Sequence, residues 1–111
     1  NVSYELPAEN QAIVDLLIQT LRKDESSHVR LAALEALQSY VFSDSLEDAL
    51  IAQMKDEEDA HVRIALIKTL ANNKSKEAEV EFDNIIQNEA SPKYLKDEVH
   101  MAKLKLEQTN I

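Results

Sequence analysis

The chain has 111 residues, with 21 acidic against 12 basic side chains and a formal charge of −9. That length supports one small core, and that charge disfavours phosphate backbones and anionic lipid heads as partners. Cysteine and glycine are both absent, which excludes disulfides, thiolate metal sites and the glycine loops that cradle phosphates or present a nucleophile.

Six helices are expected, in three pairs. The first, over 8–23, opens after Leu6-Pro7 and carries the stripe Ile13, Leu16, Leu17, Thr20 and Leu21. The second, over 27–41, has Ser26 as N-cap and turns Val29, Ala32, Ala33, Ala36, Leu37 and Tyr40 to one face. The third, over 45–55, starts at Asp44 with Glu47 closing a capping box, and buries Leu46, Ala49, Leu50 and Met54. The fourth, over 60–72, is capped by Asp59 and buries Val62, Ala65, Leu66, Thr69 and Leu70; Asn72-Asn73 ends it in a left-handed cap. The fifth, over 76–89, begins near Ser75 and buries Ala78, Phe82, Ile85 and Ile86. The sixth runs from Pro92 to about 108 under a Ser91 cap, with Leu95, Val99, Ala102 and Leu106 inward. Two prolines and no glycine argue against β-hairpins, so the class is all-α.

A motif repeats across these helices. His28-Val29-Arg30-Leu31-Ala32 returns 33 residues later as His61-Val62-Arg63-Ile64-Ala65, each copy after an acidic turn. A fixed period of this length marks stacked supersecondary units. Second apolar strips (Val14 and Ile18, Leu34 and Val41, Ile67 and Ala71) suit helices that touch both a partner helix and the next repeat. The third pair fits less well: Val99 lies 37 residues after Val62, so extra residues are expected around Ser91-Pro92-Lys93-Tyr94.

An acidic turn, Val-Arg, Ala three residues beyond Val and Leu eight beyond it resemble the short, bacterial kind of HEAT repeat. The resemblance implies a right-handed α–α superhelix, a HEAT-like solenoid of three hairpins over about 8–41, 44–72 and 75–108 of one domain. More narrowly, Asn1-Val2-Ser3-Tyr4-Glu5-Leu6, then Val29 to Leu37, then Val62 to Ile67 look like the C-terminal repeat region of bacterial membrane proteins assigned as anti-sigma factors. In those proteins a zinc-binding-type domain and one membrane helix precede the repeats. The chain opens on Asn1 and has no long apolar run or lipidation motif, so a non-membrane piece of a longer protein is expected, and the resemblance implies a membrane-anchored parent. The resemblance places it outside the cytoplasm on a bacterial inner membrane, with a cytoplasmic position as the alternative.

The HEAT resemblance also implies a ladder in which Arg30 and Arg63 pair with acidic turn residues such as Asp24, Glu57 or Asp59, registering one repeat on the next; solvated surface charge is the plainer alternative. His28 and His61 sit on neighbouring repeats, yet packed helices stand roughly 8–10 Å apart while a zinc–nitrogen bond is ~2 Å. A HEAT-type hydroxylase family binds iron through His-Glu pairs, whereas valine follows both of these histidines and Met101 follows His100. No metal and no cofactor are expected. The acidic runs 56–59 and Glu77, Glu79, Glu81, Asp83 lack calcium-loop spacing.

The remaining candidate is apolar. Leu31 projects opposite the expected stripe of its helix, Ile64 is its equivalent, and aligning Val62 with Val99 adds Met101. With Glu35, Lys68 and Lys105 alongside, these residues outline a groove for a protein partner; isolated exposed apolar residues are the plainer reading. The expected function is a non-catalytic, regulatory protein-interaction module. The alternatives are a structural spacer and a nucleic-acid-binding HEAT-like domain. Five aromatics, no tryptophan and a sixth helix whose lysines are diluted by Asp97, Glu98 and Glu107 argue against the last.

Overall fold

The computed structural model describes residues 7–108; the resemblance carried by Asn1–Leu6 lies outside the described residues. Six helices follow in order: α1 (Ala8–Lys23), α2 (Ser27–Leu37), α3 (Asp44–Asp56), α4 (Ala60–Asn72), α5 (Ala78–Gln87) and α6 (Lys93–Glu107). No strand occurs among the described residues.

Local chemistry sets the boundaries. The Ser26 hydroxyl accepts from the Val29 N–H at 3.3 Å, and Asp59 accepts from the His61 and Val62 N–H groups at 2.9 and 3.1 Å. The cap of α3 is Ser43, one residue before the expected Asp44. Its extended backbone lets the hydroxyl accept from Leu46 N–H at 3.2 Å, leaving Asp44 in the first turn beside the positive end of the dipole. Glu47 therefore closes no capping box; its carboxylate accepts from the Ser75 hydroxyl. Ser75 also accepts from Ala78 N–H at the start of α5. Ser91 does not cap α6. Pro92 occupies that position, and its carbonyl accepts from Leu95 and Lys96 at 3.1 Å each.

α2 ends at Leu37 rather than 41. The N–H groups of Gln38, Ser39 and Tyr40 each reach back three residues, tightening the chain out of the α-helix. The end of α4 departs differently. Asn73 stays right-handed, and Lys74 takes the left-handed conformation at φ 57°. Lys74 N–H bonds the Ala71 carbonyl and Ser75 N–H bonds that of Leu70, a Schellman closure built without glycine. The Lys74 ammonium then donates to the carbonyls of Lys105 (2.6 Å) and Gln108 (3.1 Å), capping α6.

Consecutive helices pair as hairpins. α1, α3 and α5 lie in one layer, and α2, α4 and α6 in the other. The result is a slab of 43 × 41 × 16 Å with one continuous core. Leu21, Leu50, Leu66, Leu70, Phe82 and Val99 are fully buried within it.

The period is stricter than the sequence suggests, in a different place. The caps Ser26, Asp59 and Pro92 of the even helices stand 33 residues apart. The irregularity sits before them: α5 has 10 residues against 13 in α3, and the connection 88–92 is longer than 24–26 and 57–59. Leu95, not Val99, thus takes the Val62 position, and Met101 falls at the Lys68 position rather than beside Leu31 and Ile64.

Several inward expectations in the first repeat are corrected. Ile13 and Leu16 are 44% and 63% exposed, while Val14, Leu17, Ile18 and Leu21 face the core. On α2, Val29, Ala32 and the following Val41 are exposed, whereas Ala33, Leu34 and Leu37 are buried and Leu31 packs against the core. The reason is one-sided packing: α2 is covered by α1 and α4, and nothing among the described residues covers its other flank.

Candidate functional site

The strongest polar assembly lies where the first repeat meets the second. Arg30 on α2 donates side-on to Glu57 in the α3–α4 connection, Nε to Oε1 at 3.0 Å and Nη2 to Oε2 at 2.7 Å. Its remaining nitrogen donates to the carbonyls of Asp24 (2.9 Å) and Glu25 (3.2 Å). Glu57 also accepts from Asp59 N–H at 3.0 Å and from the Gln53 amide at 2.8 Å, and Gln53 accepts from Arg22 at 2.9 Å. Arg22 additionally pairs with Asp56 at 3.2 Å. The Glu57 side chain is 1% exposed and that of Arg30 15%, so the carboxylate is buried under a partly exposed guanidinium and its fork geometry fixes the register of two repeats. Burial pushes the Glu57 carboxyl up, but hydrogen bonds from Arg30, Asp59 N–H and Gln53 outweigh burial and hold it below the ordinary 4.5. Nearby, Gln38 donates to Thr69 at 2.8 Å and ties α2 to α4.

The structure thus brings Arg30 to Glu57 and to the Asp24 backbone. The Asp24 carboxylate instead accepts from Ser26 N–H at 2.8 Å, and Asp59 serves as a helix cap, lowered in pKa chiefly by the Val62 N–H. Arg63 is not brought to any carboxylate among the described residues, and its Nε is buried without a partner. Gln53 and Gln38 escape sequence reading because a glutamine carries no pairing signal. Glu57 is one of the acidic partners expected for Arg30, and it alone of the run 56–59 is buried.

The proposed apolar ladder is not continuous. Leu31 and Ile64 are half-buried, Glu35 is exposed on α2, and Met101 is 64% exposed on the solvent side of α6. What the structure does assemble is a shallow groove of about 330 Å³ between α4 and α6, lined by Lys68, Met101 and Lys105 with Glu98, Ala71 and Ala102. Leu104, 54% exposed, lies one turn beyond Met101. Two α6 lysines are engaged elsewhere: Lys93 pairs with Asp97 at 2.8 Å, and Lys103 pairs with Asp83.

His28 and His61 are both exposed, and His61 lies 3.8 Å from Asp59, the cap of its own helix. Asp44, Glu47, Asp48 and Glu77 gather at the starts of α3 and α5, where the Glu47 and Asp48 charges push the Glu77 carboxyl up. Among the described residues, no group of three or more histidines or carboxylates is arranged to hold a metal ion, and no helix is long and apolar enough to cross a membrane.

Comparison with known proteins agrees with this architecture. A family model described as HEAT repeats matches residues 14–93, from within α1 through α5 to the first residue of α6. No curated protein and no solved structure gives a match. The matched span covers most of the sequence and the whole Arg30–Glu57 junction, and the chain belongs to the HEAT-repeat family.

Proposed function

We propose that the chain is a non-catalytic protein-interaction module, and that in its parent it is the regulatory repeat region of a bacterial anti-sigma factor. HEAT repeats commonly mediate protein–protein interaction and are generally not catalytic, which supports the broader statement. The narrower one is supported by the resemblance of the Val29–Leu37 and Val62–Ile67 stretches to the repeat region of those membrane proteins.

The observation that carries the reading is the groove between α4 and α6, where exposed Met101 stands between Lys68 and Lys105. A flexible thioether flanked by two ammonium groups suits an amphipathic segment with acidic edges. Nucleic acid is a poor fit. Lys93 and Lys103 are neutralised by aspartates, Lys74 is turned to a helix end, and the chain carries −9 overall.

Titrating the purified chain with bacterial sigma-factor domains by isothermal calorimetry tests this. Saturable binding that Met101→Asp abolishes supports both statements. Absence of binding to every domain removes the anti-sigma reading, and binding that Met101→Asp leaves intact removes the groove.

A further inference from the structure

We propose that Arg63 is a receptor for a single carboxylate presented by another polypeptide, a site distinct from the α4–α6 groove. The first junction supplies the template. There the arginine of the repeat motif, Arg30, is matched side-on by Glu57, the residue at the C-terminal cap of α3. One repeat on, Arg63 holds the Arg30 position and Asn88 holds the Glu57 position, at the C-terminal cap of α5. The cap residues behave alike toward their own loops: Asp24, Glu57 and Asn88 each accept from the N–H two residues on, at 2.8, 3.0 and 2.9 Å. Only the third is neutral.

The consequence is a guanidinium with no matching anion. Arg63 Nε, the atom that in Arg30 donates to Glu57, is buried and lacks a partner among the described residues. A buried donor left unmade is costly, and a charged one more so. Arg63 opens onto a hollow of about 190 Å³ that also presents Lys55, Asn84, Asn88, Ser91 and Glu81. Lys55 already pairs with Glu81 at 3.4 Å, so Arg63 supplies the net positive charge there. Amide and hydroxyl donors beside a guanidinium edge suit a carboxylate. Glu81 on the same wall opposes a second negative charge, which selects a carboxylate over a phosphate. The occupant is therefore an aspartate or glutamate side chain of a partner, met by the part of the guanidinium that faces the hollow.

The test follows the Arg Nε–H resonances of the full chain by NMR while adding acetyl-Ala-Glu-Ala-amide, with the Gln and phosphoserine analogues as comparisons. The Arg63 signal should move along a saturating curve with the glutamyl peptide, while Arg30, held by Glu57, stays in place. Arg63→Gln should remove saturable binding. Asn88→Glu should fill the site internally, abolish the response and raise the thermal midpoint by several degrees; if that variant fails to fold, Asn88→Asp and Arg63→Gln carry the test. An unmoved Arg63 signal, an equal response to the glutamine peptide, tighter binding of the phosphoserine peptide, or a response that survives in a folded Asn88→Glu chain would each overturn the assignment.

Discussion

The first and second repeats carry the same motif and bury it differently. Val62 is 0% exposed and Leu46 2%; their counterparts 33 residues earlier, Val29 and Ile13, are 41% and 44% exposed. The residue types are nearly unchanged, so the difference comes from the neighbour. The second repeat is packed from both sides, and the first from one among the described residues. Burial in a stack is a property of the interface between repeats, which is why stability in such folds behaves as a sum of nearest-neighbour terms.

Paired truncations put numbers on this difference. Leu46→Ala should lower unfolding stability by about 2–5 kcal/mol, the cost of a core cavity. Ile13→Ala should cost under about 1 kcal/mol, as an exposed site does. Equal losses in chemical denaturation would remove the distinction. The polar junctions give the next largest contrast. Glu57→Gln leaves the largely buried Arg30 facing a neutral group and should cost about 2–3 kcal/mol. Arg63→Gln removes no ion pair and takes away a buried unmade donor, so it should not lower stability.

Acid sharpens the same contrast. The Glu57 carboxyl is held below its ordinary value in the folded chain, so the unfolded chain takes up its proton first as pH falls. Its stabilisation is complete above the ordinary 4.5 and is lost as pH drops through the lower folded value. Thermal midpoints measured across that window should fall for the parent chain and fall less for Glu57→Gln. The last contrast lies at Lys74. Lys74→Ala keeps the left-handed strain and loses the ammonium cap on α6, costing about 1 kcal/mol. Lys74→Gly loses the cap but relieves the strain, so its melting temperature should lie closer to that of the parent.

Much of the fold was legible because its signals are local. The repeated Val-Arg-Leu/Ile-Ala, the caps Ser26 and Asp59, and the spacing of Leu95, Val99, Ala102 and Leu106 depend only on nearby residues. What failed depends on distant ones. Helical periodicity finds an apolar face without saying whether anything covers it, so Ile13, Leu16 and Val29 read as core. Aligning Val62 with Val99 hid the strict period of the even helices, because α5 is short and its following connection long, and this placed Met101 on the wrong ladder. The choice of Glu57 from four acids, and the orphaning of Arg63, follow from which side chain reaches across a junction, information absent from either helix alone.

Native-state hydrogen exchange bears most directly on the claim that contacts between neighbouring repeats hold this chain together. α4, which buries six side chains and touches both other even helices, should exchange slowest, and α5, which buries Ala78 and Phe82, fastest, with α1 and α6 between. A single protection level across all six helices, as in one bundle that opens all at once, would contradict it.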